Sequence, residues 1–211
     1  MLVVGAKGFA KEILEICKQN NELRNLVFYD DLSNDLEDRL FNLYEIIKNG
    51  EDAKTYLEQI DNRFTIGIGN PELRKSMYNL FCSLGGKYTS TISLKADIGS
   101  YNVNIGCGAN ILDGSKISNN VEIGIGSILY YNSIVTHDCV IGDFVEVSPS
   151  ATILGNCFIG NCCNIGANSV ILPKIKLGNN VIVGAGAVVC VDLPDNCTAV
   201  GVPAKIIKIR N

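Results

Sequence analysis

From Ile105 to Pro194 the chain carries a branched apolar residue at every sixth position, fifteen times without an insertion. The series opens Ile105, Ile111, Ile117, Ile123, Leu129, Val135 and closes Leu177, Val183, Val189. Gly often follows, as at Gly124, Gly142, Gly160, Gly166 and Gly178. The fifth position is small or apolar throughout, from Ala109 and Ser115 through Cys139, Cys157 and Cys163 to Ala187 and Leu193. A period of six matches neither the helical repeat nor the alternation of a simple hairpin sheet. It matches a parallel β-helix built from hexapeptides, with one flat face per hexad and three faces per coil. Fifteen hexads predict five coils, with first-position residues pointing inward and stacking on their equivalents one coil away. Such an architecture hosts many functions. The chemistry therefore has to lie where the chain departs from its repeat.

The 211 residues carry a net charge of −4 and a pI near 5.1, which argues against a nucleic-acid partner. Residues 1–85 hold ten Lys/Arg and fourteen Asp/Glu, whereas residues 86–211 hold eight of each. This step predicts two domains, 1–85 and 86–211. Nine cysteines occur without a Cys-x-x-Cys pair. Those at the fifth hexad position read as small core fillers, and the spacing predicts a reducing compartment. The first residues lack the pattern of a signal peptide, and no apolar run approaches the roughly 20 residues of a membrane span. The expectation is a soluble cytoplasmic protein without a membrane partner.

Residues 1–85 read as a small parallel α/β domain. Leu2-Val3-Val4 is a short strand, followed by Gly5-Ala6-Lys7-Gly8-Phe9-Ala10 and a helix over 11–20 with Ile13, Leu14, Ile16 and Cys17 at helical spacing. Leu26 to Tyr29 reads as a second strand ending in Asp30-Asp31, and Phe64 to Ile68 as a third ending in Gly69-Asn70. A second helix is expected over 72–84, with Pro71 suited to its first turn. Gly5-x-x-Gly8-x-Ala10 has the makings of a phosphate turn: tight backbone geometry ahead of a helix N-terminus that offers free N–H groups to an anion. An acidic residue at the end of the next strand can accept hydrogen bonds from a ribose or base. The strict dinucleotide fingerprint is absent. A nucleotide-phosphate or nucleotide-sugar site, an NAD site and a purely structural turn all remain open on the residues alone. Asp31 and Gly69 fall at carboxyl ends of strands, where open sheets bind ligands.

The chain has one histidine, His137, in Val135-Thr136-His137-Asp138-Cys139. It occupies the third hexad position, outside the inward-pointing first and fifth places. An exposed imidazole without function is the plain interpretation. Against it stand the aptness of imidazole as a general base and the adjacent carboxylate Asp138, which can orient the ring or raise its basicity. Neighbours in an extended strand point to opposite sides, so Asp138 can serve His137 only if the chain turns locally. One His per chain cannot supply the three ligands of a zinc hydrolase site, so no metal is expected.

The combination resembles the left-handed β-helix sugar acyltransferases that carry an N-terminal Rossmann-like domain. These include sialic acid O-acetyltransferases and the N-acetyltransferases of nucleotide-linked 4-amino sugars, such as the bacillosamine pathway enzyme. The resemblance rests on Gly5 to Ala10, Tyr29-Asp30-Asp31, Ile66 to Asn70 with Arg74-Lys75, Thr136 to Phe144, Ala151 to Gly155 and Gly201-Val202-Pro203-Ala204-Lys205. It implies a homotrimer with acetyl-CoA in the groove between adjacent solenoids. It implies that His137 is the base with Asp138 beside it, and that the Gly155 N–H faces the thioester oxygen. Ala167 and Ala185 match positions that touch CoA through backbone atoms. Gly8, Asp30, Asp31 and Gly69 match positions that hold the nucleotide. Two places depart from the bacillosamine-type pattern. Glu146 stands where that enzyme has a second His against acetyl-CoA, and Tyr130-Tyr131-Asn132 replaces a small polar stretch before the base.

The activity expected from these readings is acetyl-CoA-dependent N-acetylation of a nucleotide-linked amino sugar, with a 4-amino-4,6-dideoxy sugar as the acceptor. His137 would assist direct attack on the thioester without a metal or an acyl-enzyme. O-acetylation of sialic acid or another sugar hydroxyl is the alternative within enzymes. A non-catalytic nucleotide-binding scaffold is the alternative outside them.

Overall fold

A computed structural model describes residues 1–33 and 37–210. The chain divides into two compact units, Met1–Thr91 and a second beginning at Ile92.

The first unit runs β1 (Leu2–Val4), α1 (Gly8–Gln19), β2 (Val27–Tyr29), β3 (Arg39–Leu40), β4 (Tyr44–Ile47), α2 (Gly50–Gln59), β5 (Arg63–Ile66), α3 (Pro71–Ser83) and β6 (Lys87–Tyr88). These strands form one sheet in the order β3-β4-β2-β1-β5-β6, parallel except for the β3–β4 pair. The buried central strand β1 is apolar at every position, as a parallel strand covered on both faces must be. Helix α1 buries Phe9, Ala10, Ile13, Leu14, Ile16 and Cys17. The sheet is larger than the three expected strands. β3 and β4 are only two and four residues long, too short to announce a period, and α2 follows them directly, with Asn49 capping it by accepting from the Asp52 N–H. The unit also extends past residue 85, because β6 pairs with β5 and Tyr88 stacks on Phe64 with ring centroids 5.0 Å apart.

The second unit is the left-handed parallel β-helix. Every first-position residue from Ile111 to Val189 is at most 3% exposed, and the fifth-position residues are buried with them. Three faces result, with eight, six and five strands, all parallel except for the last pair of the eight. The eight-stranded face passes through Ile111, Leu129, Val147, Ile165 and Val183, the six-stranded face through Ile117, Val135, Ile153 and Ile171, and the five-stranded face through Ile123, Ile141, Ile159 and Leu177. Burial of each Ile or Val is worth roughly 1.5–3 kcal/mol, so the stack is the principal source of stability here. The polar fifth positions satisfy themselves: Ser115 donates to the Tyr130 carbonyl at 2.9 Å, and the Cys157 thiol to the Leu172 carbonyl at 3.1 Å.

The solenoid is longer than the fifteen hexads. An earlier partial coil carries Ile92 and Ile98, and Ile98 precedes Ile105 by one residue more than the six-residue spacing. A late strand, Cys197–Val200, joins Val183 across a shortened coil, and Lys205–Ile209 folds back antiparallel on it. An insertion at one end and deletions at the other hide both from a strict period.

Fourteen successive fourth-position residues, from Gly108 to Gly186, have φ between 55° and 73°. This left-handed turn creases the chain at each corner. Ten of the fourteen are Gly, Asn or Asp, the residues that tolerate it best. The solenoid therefore has three edges. The first joins the eight- to the six-stranded face, the second the six- to the five-stranded face, and the third the five- to the eight-stranded face.

Candidate active site

His137 and Asp138 sit on the second edge. Asp138 is a fourth-position residue with a φ of 60°, and this crease overrides strand alternation. The two side chains meet, His137 Nδ1 to Asp138 Oδ2, at 2.7 Å. The other Asp138 oxygen accepts from Asn120 Nδ2 at 2.6 Å. Asn120, helped by the His137 contact, holds the Asp138 carboxyl below its ordinary value. An ionised Asp138 places the imidazole proton on Nδ1 and leaves Nε2 as the acceptor. Nε2 makes no hydrogen bond among the described residues, and the ring is 61% exposed. Asn120 was missed in the sequence. Its signal is its place eighteen residues before Asp138, one coil away on the same edge.

Gly155 lies one coil beyond His137, directly against the ring. A Cβ at Gly155 would stand 2.6 Å from Cε1 and 2.8 Å from Nε2 of His137, so only glycine fits there. Behind the pair, Cys139 and Cys157 point into the core. Cys139 donates to the Leu154 carbonyl at 3.3 Å, and its thiol is pushed up by its contact with Cys157 and by burial, so neither the position nor the protonation suits a nucleophile.

The three edges differ in what happens to the third-position N–H. On the third edge, from Ile125 onward, each is closed by the side chain of the next coil: Ile125 N–H by Asp143, Asp143 by Asn161, Asn161 by Asn179 and Asn179 by Asp195, at 2.7–2.9 Å. On the second edge the next-coil residues are Gly155 after His137 and Pro173 after Gly155, which have no side-chain acceptor. Among the described residues the N–H groups of His137 and Gly155 have no partner, and the same holds for Ala167 and Ala185 on the first edge. The third edge is thus closed on itself, while the first and second present unpaired donors.

One chain does not bring all the expected donor-binding residues together. His137, Asp138 and Gly155 share the second edge, and Ala167 and Ala185 share the first. Glu146 lies half-buried on the eight-stranded face, opposite the second edge, in register with Ile128 and Asn164 and accepting from Ser148 at 3.4 Å.

In the first unit a cavity of about 280 Å³ opens at the carboxyl ends of β1, β2 and β5, and its lining includes Gly8, Asp30, Asp31 and Gly69. Gly8 begins α1, whose N-cap Lys7 supplies no side-chain acceptor, unlike Asn49 on α2 and Asn70 on α3. A Cβ on Gly8 would meet nothing within 4 Å. The two acids differ. Asp30 is engaged with the backbone, accepting from Ala6 at 3.3 Å, Leu32 at 3.3 Å and Ser33 at 3.0 Å, and so ties the glycine turn to the next loop. Asp31 is exposed and accepts from Tyr29, whose hydroxyl is pushed up to about 12 by burial and by that contact. The buried Arg74 holds the turn at Gly69 by donating to the carbonyls of Ile68 at 3.1 Å and Gly69 at 2.5 Å. Close packing of α1 on β5 depends on Gly67, where a Cβ would come within 2.7 Å of Ala10. A larger cavity of about 750 Å³ lies beside α2, away from these strand ends. Among the described residues no acid, His or Cys cluster suits a metal ion, and no helix is long and apolar enough to cross a membrane.

Residues 1–81 match the PglD N-terminal domain and residues 156–190 the bacterial transferase hexapeptide repeats. The solved structure of WeeI from Acinetobacter baumannii is 30% identical over 98% of both chains, with a TM-score of 0.86. The chain belongs to the left-handed β-helix sugar acyltransferases with an N-terminal Rossmann-like domain. Two further structures are similar to this acyltransferase over 98% of its length. One is a perosamine N-acetyltransferase from Caulobacter crescentus in complex with CoA and GDP-perosamine, 26% identical over 96% of that chain with a TM-score of 0.91. The other is the acetyltransferase domain of PglB from Neisseria gonorrhoeae in complex with acetyl coenzyme A, 28% identical over 98% of that chain with a TM-score of 0.86. A comparison with curated proteins gives no match.

Proposed function

We propose that the acyltransferase moves the acetyl group of acetyl-CoA onto the amine of a nucleotide-linked amino sugar, a 4-amino-4,6-dideoxy sugar being the expected acceptor. The observation that carries the mechanism is the crease at Asp138, which turns its carboxylate onto His137 Nδ1 and leaves Nε2 free above Gly155. The amine nitrogen attacks the thioester carbon, forming the C–N bond as its proton passes to Nε2. Asp138 stabilises the imidazolium. The unpaired Gly155 N–H donates to the developing oxyanion, a contribution of roughly 3 kcal/mol in comparable sites. The C–S bond then breaks, and the imidazolium returns its proton to the leaving thiolate. Holding both substrates at one point supplies much of the remaining rate gain.

The unpaired N–H groups of Ala167 and Ala185 suit the amide-rich arm of CoA. They lie on a different edge from His137, so a complete donor site takes one edge from each of two neighbouring chains. A cyclic homotrimer provides this, with Glu146 beside the donor. The cavity at Gly8, Asp31 and Gly69 suits the nucleotide, with the phosphates at the uncapped start of α1 and Asp31 accepting from ribose or base.

The test follows free thiol release from acetyl-CoA with a panel of UDP-, dTDP- and GDP-linked amino sugars against free sialic acid. Turnover should require a nucleotide-linked amine. His137→Ala should lower kcat by 10²–10⁴-fold, about the range for a lost general base, while melting stays unchanged. Turnover of sialic acid alone would make the protein an O-acetyltransferase. No thiol release with any acceptor would leave a binding scaffold.

A further inference from the structure

We infer that Tyr131, backed by Tyr130, is the wall that restricts the acyl donor to acetyl. The inference rests on the proposed donor track along the first edge. Coil by coil, the second and third hexad positions of that edge read Gly184-Ala185, Gly166-Ala167, Ser148-Pro149 and then Tyr130-Tyr131. Small residues, among which Ala185 and Ala167 have N–H groups without a partner among the described residues, give way to two half-buried aromatic rings, whose centroids lie 6.5 Å apart in an edge-to-face pair. Beyond the tyrosines the edge carries Asp113, which accepts from the Ser93 hydroxyl at 2.5 Å and the Lys95 ammonium at 3.0 Å.

Height along the solenoid decides what the tyrosines face. Neighbouring coils are about 4.8 Å apart. Pro149 and Gly155 belong to one coil, and Tyr131 and His137 to the coil before it. In a cyclic trimer with parallel solenoid axes, equivalent coils of all three chains lie at equal height. A thioester carbonyl at the Gly155 N–H is then level with Pro149 of the neighbouring chain. An acyl chain prolonging the donor beyond Pro149 runs toward Tyr131, one coil or about 5 Å further on. Each C–C bond spans about 1.5 Å. The methyl of an acetyl group fits below the ring, whereas longer chains run into it.

The experiment compares kcat/KM for acetyl-, propanoyl-, butanoyl- and hexanoyl-CoA in the wild-type protein and in Tyr131→Ala, Tyr131→Leu and Tyr131→Phe. Wild type should fall steeply from acetyl to butanoyl. Tyr131→Ala should raise the butanoyl-to-acetyl ratio at least tenfold, since one methylene in a tight pocket is worth roughly 10–200-fold. Tyr131→Leu should fall between, and serves if the Ala variant does not fold. Tyr131→Phe should keep the wild-type ratio, because the ring and not the hydroxyl is the wall. An unchanged ratio in the Ala and Leu variants overturns the inference. So does an equal loss with all four donors, or an effect confined to the KM of the sugar nucleotide. Ala167→Leu separates this from the track itself: it should raise KM for every acyl-CoA alike. If it does not, the donor is placed wrongly, whatever Tyr131 does.

Discussion

Asn120 shows how much of the candidate site depends on a residue outside the motif. It holds one oxygen of Asp138 while His137 takes the other, so the carboxylate cannot rotate away from the ring. Asn120→Ala should therefore lower kcat about 10- to 150-fold, the worth of roughly one hydrogen bond to a charged group, with both KM values nearly unchanged. Asn120→Asp should be worse than Ala, because it sets a second carboxylate against Asp138. Steady-state kinetics on the two variants checks this, and wild-type rates in both would remove Asn120 from the mechanism. In the first unit the two adjacent acids have separate tasks. Asp31→Ala should raise KM for the sugar nucleotide roughly 5- to 150-fold through loss of a hydrogen-bond acceptor, with KM for acetyl-CoA little changed. Asp30→Ala should lower the melting temperature as well, because it frees three backbone N–H groups of the turn. Equal weakening of both substrates by Asp31→Ala would place the acceptor elsewhere.

At the scale of elements, the edges decide function and the faces decide stability. The first- and fifth-position residues that fill the solenoid are interchangeable apolar or small groups. The edges are not: one closes its N–H groups from Ile125 onward with Asp and Asn, while the other two leave open those of His137, Gly155, Ala167 and Ala185. The loop before β5 carries a pH-dependent contribution to stability. Burial opposes ionisation of Asp61, but Arg63, donating at 2.9–3.3 Å, and the Met1 amino group, donating at 2.9 Å, overcome it and hold the carboxyl well below the usual carboxylate range. A carboxyl depressed on folding stabilises the native state fully above its unfolded value, about 3.9, and loses that stabilisation as pH falls toward the folded value. The first unit should thus lose thermal stability below about pH 4, and Asp61→Asn should flatten that decline while lowering the plateau at neutral pH. A melting series from pH 2 to 7 tests it, and parallel curves for wild type and variant would contradict it.

For the whole molecule the expected consequence is obligatory association. His137 with Gly155 and Ala167 with Ala185 lie on separate edges of one solenoid, so a single chain would hold only half of the proposed donor site. Sedimentation equilibrium should give three times the 22.8 kDa chain mass. Two inactive variants, His137→Ala and Ala185→Arg, should recover activity when mixed and reassembled, because some grooves then combine two intact edges. A monomeric enzyme with full activity would exclude a shared groove.

The six-residue period by itself determined the solenoid, its inward residues and the outward place of His137, because a stack of identical coils requires the same residue type at the same place in every coil. The Gly5-to-Ala10 turn and the acids ending the second strand likewise marked the positions that line the first-unit cavity. The left-handed corner is marked less sharply, by Gly, Asn or Asp at ten of fourteen fourth positions, with Phe144, Ser150, Cys162 and Lys174 breaking the pattern. Tertiary structure alone decided the rest. Whether Asp138 reaches His137 depends on a backbone angle that opposes strand alternation. The support from Asn120 and the fit of the ring on Gly155 depend on contacts one coil, eighteen residues, apart. The separation of Ala167, Ala185 and Glu146 from the base depends on which edge each hexad reaches, and a residue's edge is set by the closed geometry of the coil and not by its neighbours in the chain.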